Sequence, residues 1–311
     1  MARWRDKSGE SANAGSAGAA MPDFASLLDS VRGIRWPARS AVRGGIPGAH
    51  TSRMRGTSAE FTEYRPYRQG DDLRRIDWKL FGRSDRAYIR LSNDRAILPT
   101  TVVLDASASM DFPVETHGKW NFATEIAVGL AAVARSSADP VGLVIAQKGN
   151  VVQLPPRTRQ GVIHEMIRAV SEASPASDEP LSPALTSAMR VSGRIVLITD
   201  FLGDADEMLS TAARGIVGAK EIHAIHIVAP EEIDPPGDTM LVADPEIPDV
   251  RRPLTGDARD AYVPAYAAWR DSIAQDWSDA GASYTMAIVG EESPDHLIRR
   301  IAAPRGVAAT A

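Results

Sequence analysis

Five short apolar runs rich in β-branched residues recur from residue 98 onward: Thr101 to Asp105, Val141 to Ala146, Arg194 to Asp200, Ile222 to Val228 and Tyr284 to Val289. Near-continuous apolar runs of this length predict strands buried on both faces. Between them lie Asn121 to Ser137, Gly161 to Glu172, Leu181 to Val191 and Asp204 to Gly218, each long enough for a crossover helix. This alternation predicts an α/β domain with a doubly wound, mainly parallel sheet. An edge hairpin is expected between Gly142 and Leu154, because Lys148-Gly149-Asn150 is a good turn. Tyr266, Trp269, Ile273 and Trp277 fall at spacings of 3, 4 and 4, which puts them on one face of a helix from Val263 to Ala280, with Pro264 near its start. The Pro- and acid-rich stretch from Pro230 to Gly256 is expected to leave the sheet.

Upstream of residue 98 the pattern is less regular. Ala87 to Leu91 alternates like a strand, Gly70-Asp71-Asp72 reads as a turn, and Arg74 to Leu80 as a short helical segment. Residues 1–20 carry charges and then a Ser/Ala/Gly run, and are expected to be a disordered tail. The organisation expected is that tail, a smaller basic N-terminal subdomain at 21–97, the sheet domain at 98–303 with its excursion at 230–256, and a tail at 304–311. A basic segment with few apolar residues is hard to stabilise alone, so 21–97 should lean on the sheet domain.

Composition narrows the classes. With 44% hydrophobic and 24% charged residues over 311 positions, the chain has material for a large core. The absence of Cys removes disulfide scaffolds, thiolate metal sites and cysteine nucleophiles. The first residues hold no signal-peptide core, and stretches such as Ala127 to Ala134 fall short of the ~18 apolar residues of a membrane span. A soluble, cytoplasmic protein is the expectation. The formal charge is −5, but Arg32 to Arg95 holds 15 Lys or Arg against 7 Asp or Glu. Such asymmetry marks either a nucleic-acid surface or two parts of one protein joined by opposite charge.

In an open α/β sheet, ligands bind beyond the carboxyl ends of the strands. Two strands end in polar residues there: one runs into Asp105-Ala106-Ser107-Ala108-Ser109, the other into Asp200-Phe201. One carboxylate and two hydroxyls at alternate positions are hard oxygen ligands, and a second carboxylate from a neighbouring strand suits Mg²⁺ or Mn²⁺. The same residue types also cap helices and form turns, so local roles for Asp105, Ser107, Ser109 and Asp200 stay open.

Asp105, Ser107 and Ser109 resemble the Asp-x-Ser-x-Ser pattern of the von Willebrand factor A fold's metal-ion-dependent adhesion site, with Asp200 in the place of that fold's later Asp. Gly56, Glu60-Phe61, Arg65, Tyr67, Gly70-Asp71-Asp72, Arg74, Ile76-Asp77-Trp78 and Arg83 are similar to the signature of the domain-of-unknown-function 58 family, in which it precedes a von Willebrand A-like domain. The similarity continues through Thr199-Asp200-Phe201-Leu202-Gly203 and Asp244-Pro245-Glu246. The resemblance implies a protein-binding adaptor that works with a MoxR-type AAA+ ATPase in the maturation or assembly of other proteins. One departure stands out: the position aligned with the adhesion site's Thr holds Glu179 or Pro180, so that either a glutamate there ligates a cation in its place or the site binds metal poorly or not at all.

The same residues bear on other classes of function. A metal-dependent hydrolase would use Asp105 and Asp200. A dehalogenase-type phosphatase needs a second Asp where Ser107 stands. No Gly-x-Ser-x-Gly elbow or Gly-x-x-x-x-Gly-Lys-Ser/Thr loop is present. His223 and His226, three apart on a strand, face opposite sides and cannot chelate together; one is expected to pack and the other to lie on the surface. Nucleic-acid binding is disfavoured because Glu60, Glu63, Asp71, Asp72, Asp77, Asp85 and Asp94 are mixed among the arginines. Arg65, Arg74 and Arg83 are instead expected to pair with Asp77 and its neighbours, in an ion-pair network joining the basic segment to the acidic domain.

Overall fold

The computed structural model describes residues 22–38, 47–51, 61–68, 71, 76–84, 86–92, 95–147, 150–176, 178–237, 241–243 and 251–303. Both expected tails, the tip of the hairpin turn at Lys148-Gly149, the Asp244-Pro245-Glu246 stretch and the signature residues Gly56, Glu60, Gly70, Asp72 and Arg74 lie outside them. The first part of the chain forms α1 (Phe24–Ser30), β1 (Pro47–Thr51), β2 (Phe61–Pro66), α2 (Trp78–Ser84), β3 (Tyr88–Ser92) and β4 (Arg95–Ala96). Then follow β5 (Thr100–Asp105), α3 (Gly118–Ser136), β6 (Val141–Gln147), β7 (Asn150–Arg157), α4 (Val162–Glu172), α5 (Ser182–Val191), β8 (Arg194–Thr199) and α6 (Ala205–Val217). The chain continues through β9 (Glu221–Val228), α7 (Pro230–Ile233), β10 (Leu241–Ala243), β11 (Arg251–Pro253), α8 (Gly256–Asp279), β12 (Ser283–Ile288) and α9 (Pro294–Ala302).

Six strands form one sheet in the order β12-β9-β8-β5-β6-β7. Every neighbouring pair is parallel except the β6–β7 hairpin. This is the doubly wound α/β sheet that the apolar runs predict. Its strands alternate between two buried faces. Val102 and Leu104 of β5 join the core under α1, α3, α4 and α9, whereas Val103 joins the core under α5, α6 and α8. The short strands pair apart from this sheet, β1 with β4, β2 with β3 and β10 with β11, so the 230–256 excursion adds nothing to it.

At the antiparallel edge the register shifts between Val141 and Leu143, and a Cβ on Gly142 would lie 2.6 Å from the Leu154 carbonyl oxygen and 2.8 Å from the Pro156 nitrogen. Pro155 and Pro156 donate no hydrogen bond, which suits an edge strand. Because the obstruction is backbone, Gly142→Ala is expected to lower stability by about 1–3 kcal/mol, read as a lower urea midpoint.

Helix α3 is buried on nearly every face, as a helix central to its layer must be. Gly129 lets α9 and α1 approach it: a Cβ there would lie 2.2 Å from Ile298 Cδ1 and 3.6 Å from Leu27 Cδ2. Two helices in this layer, α1 and α9, escape the sequence reading. Leu27, Val31 and Trp36 are buried in the same core, so residues 24–38 are built into the α/β layers.

Of the expected network, Arg65 pairs with Asp71 at 2.9 Å and Arg74 lies outside the described residues, while Asp77 also caps α2, accepting from the Lys79 and Leu80 amides at 3.0 Å and from the Tyr64 hydroxyl at 2.9 Å. Arginines of the α/β layers also hold the upstream chain. Buried Arg194 donates to the Trp36 and Pro37 carbonyls, lies 4.2 Å over the Trp36 ring and pairs with Glu221 at 2.9 Å; Arg299 donates to the Ser30 carbonyl. Backbone carbonyls are acceptors that any sequence offers, which is why charge counting missed this arrangement.

Three further corrections concern local structure. Helix α8 starts seven residues before Val263, with Thr255 capping it through the Ala258 amide, so Pro264 lies inside the helix. Helix α2 runs on to Ser84, past the expected end at Leu80. Both histidines of β9 are buried: His223 packs edge-on to Trp36 and bonds Glu221, while His226 sits among Phe201, Trp269 and Tyr284 on the other face. They do face opposite sides, but neither is on the surface. No helix among the described residues is long and apolar enough to cross a membrane.

Candidate functional site

Strands β5 and β8 are adjacent and parallel, and chain order reverses between them: the chain leaves β5 toward β6 and β7, then returns to β8. This is the switch point where a crevice opens beyond the strand ends. Asp105 ends β5, and Asp200 follows β8. Both are buried, at 8% and 2% exposure, which no isolated carboxylate tolerates without partners.

The partners are specific. Asp105 accepts from the Ser107 amide at 2.8 Å through Oδ1, and from the Thr199 hydroxyl at 2.6 Å through Oδ2. Ser107 and Ser109 hydroxyl oxygens lie 3.0 Å apart, and the Ser109 hydroxyl is close enough to Asp200 to favour its ionised form. The Asp-x-Ser-x-Ser segment thus turns tightly into a short 3₁₀ turn at Ala108–Asp111. All four residues singled out in the sequence meet in one connected cluster.

Sequence reading missed the group that neutralises half of it. Lys119, fully buried in the first turn of α3, sits 2.7 Å from Asp200 Oδ2 and 2.7 Å from Glu232 Oε1 of α7. Glu232 also accepts from the Ala229 amide at 2.7 Å. Burial opposes the ionisation of Asp200, but the Lys119 ammonium outweighs it and holds that carboxyl below its ordinary range. Burial likewise disfavours the Lys119 charge, and Asp200 and Glu232 together hold it above its usual value. Asp105 has no such cation. Burial, with the nearby Asp200 charge, pushes its carboxyl up to about 6, although Thr199 and Ser107 hydrogen bonds pull the other way.

Beside the cluster opens a cleft of 220 Å³ lined by Asp105, Ser107, Asp178, Glu179 and Asp204 among others. Glu179, which stands near the expected Thr position, therefore shares a cavity with two of the candidate ligands. Asp204 is already committed: it accepts from the Leu181 and Ser182 amides at 3.2 and 3.0 Å and from the Ser182 hydroxyl, fastening the start of α5 to the start of α6. Asp105, Ser107 and Glu179 bring to this cleft oxygen donors of the kind a small hard divalent ion takes, while among the described residues no group of three carboxylates or imidazoles is placed to hold a metal. The Lys119 side of Asp200 is closed to it.

A six-stranded doubly wound sheet with a hydroxyl-carboxylate cluster at its switch point is the architecture that a von Willebrand A-like domain requires. The chain belongs to the family described as protein of unknown function DUF58, whose model matches residues 63–271. It is 27% identical over 292 residues to the uncharacterized protein Rv1480 of Mycobacterium tuberculosis strain H37Rv, covering 91% of each chain. The same figures hold for the uncharacterized protein Mb1516 of Mycobacterium bovis. Among solved structures, an aerotolerance-related membrane protein of Bacteroides fragilis is similar at 15% identity and TM-score 0.46, over 66% of this chain and 96% of that one. The SpRpn10 VWA domain is similar at 14% identity and TM-score 0.41, over 68% of this chain and all of its own.

Proposed function

We propose that the chain is a non-enzymatic protein-binding adaptor whose von Willebrand A-like domain grips a partner at the Asp105 cleft. The observation that carries this is the gathering of Asp105, Ser107, Ser109 and Asp200 at the switch point, with Asp105 and Ser107 lining an acidic cleft of 220 Å³. Those four residues would hold Mg²⁺ or Mn²⁺, with Glu179 also lining the cleft. Such an ion supplies a positive charge for a partner's carboxylate. Thr199 and the Ser107 amide orient Asp105, and Lys119 fixes Asp200, so the protein's own part is to hold two carboxylates in place before a partner arrives. The family similarity supports a MoxR-type AAA+ ATPase as that partner, in maturation or assembly of a client protein.

The test is reconstitution with the purified ATPase. A complex is expected in the presence of Mg²⁺, with loss on adding chelator and in Ser107→Ala, whose hydroxyl makes few structural bonds. Binding that ignores both chelator and substitution would overturn the metal-gripping role. Chelator-sensitive turnover of phosphate or ester substrates by the chain alone would overturn the adaptor reading in favour of a hydrolase.

A further inference from the structure

Gly203 and Asp204 separate the Asp105 cleft from a wider groove of 530 Å³ between the β8–α6 loop and α8. Phe201, Trp269 and Ile273 form its apolar lining, and the exposed carboxylates of Asp206, Glu207 and Asp276 form its rim. Among the described residues no Lys or Arg lines it. An apolar floor inside an acidic rim fits a large apolar side chain flanked by cations.

The same chain displays that feature elsewhere. Trp78 of α2 is 62% exposed and Phe81 37%, with their rings edge to face at 5.9 Å. Lys79 and Arg83, one turn apart on the same helix, are both exposed. An exposed aromatic pair beside two cations is the composition of an interface hot spot, not of a solvated face. Trp78 lines no part of the groove, so within one chain the two surfaces stay apart.

We propose that copies of this chain associate head to tail, the Trp78–Phe81 face of one seated in the acidic groove of the next. Such a contact joins two different surfaces, so it is heterologous and leaves one free face at each end of the assembly. Apolar burial at Trp78 supplies the attraction, and the opposite charges set orientation and make the contact salt-sensitive. It needs no metal and is independent of the cleft beside it.

Sedimentation velocity of the full chain, with chelator present, tests this. The weight-average sedimentation coefficient should rise with protein concentration, more steeply at low salt. Trp78→Ala, at an exposed position, and Ser272→Arg, on the groove wall, should each weaken association by about tenfold or more. Lys79→Glu/Arg83→Glu and Asp206→Lys/Glu207→Lys chains should each remain monomeric alone and associate when mixed. A wild type that sediments as a monomer throughout, association unmoved by Trp78→Ala, or charge-reversed chains that do not recover on mixing would each overturn the proposal.

Discussion

Lys119→Met should be the most damaging single substitution in the chain. It leaves Asp200 and Glu232 buried without their shared cation, and breaking a buried pair from one side costs about 3–5 kcal/mol. For a domain of this size that is a drop in Tm on the order of 10 °C. The pH dependence identifies the cause. In the wild type, Asp200 titrates below its ordinary 3.8, so its contribution is present above that value and is lost as pH falls through the folded-state pKa. Without Lys119, burial raises both carboxyls above their unfolded values, so the folded state binds more protons and the variant should gain stability as pH falls from 7 toward 5. Urea unfolding at those two pH values reads this directly. A loss that does not ease on acidification would mean that Lys119 acts through packing alone.

Asp105→Asn should do the reverse, stabilising the metal-free protein at pH 7. The Asp105 carboxyl is raised from 3.8 to about 6 by burial and the Asp200 charge. A raised acid makes the folded state bind more protons between those values, so stability falls as pH rises through that window and the cost is complete above about 6. An amide of the same shape carries no charge and escapes that cost, which for a rise from 3.8 to about 6 is about 3 kcal/mol. The Thr199 hydroxyl can turn to accept from the new amide group. The gain should shrink as pH drops toward 4, and added Mg²⁺ should stabilise only the wild type. A functional site held at the expense of stability is the pattern expected. A variant less stable than wild type at pH 7 without metal would count against a strained carboxylate at position 105.

Much of this was legible in the chain because it depends on period and strand order. Val102, Val103 and Leu104 declare a strand buried on both faces, and the parallel alternation then forces Asp105 and Asp200 to the same end of the sheet. The Asp-x-Ser-x-Ser cluster follows from that geometry. Lys119 and Glu232 did not, because they are 113 residues apart and meet only through the folded layers. A signal existed in Lys-Trp-Asn-Phe-Ala-Thr-Glu-Ile-Ala: a lysine at the start of a helix apolar all round needs a buried counter-charge. Helix α9 was also readable, since Leu297, Ile298 and Ile301 mark one apolar face. The link between 21–97 and the α/β layers includes, beside the packing of Leu27, Val31 and Trp36, carbonyls accepting from Arg194 and Arg299, and charge patterns carry no record of backbone acceptors. Pro264 misplaced the start of α8 because proline is rarer inside a helix than in its first turn.

The central claim is that the hydroxyl-carboxylate cluster at the switch point is a cation site. Calorimetric titration of Mn²⁺ into wild type and Asp105→Asn at pH 7 tests it with no partner required. Saturable one-site heat in the wild type and none in the variant is the expected result. Equal heats in the two proteins, or no heat in the wild type, would contradict it.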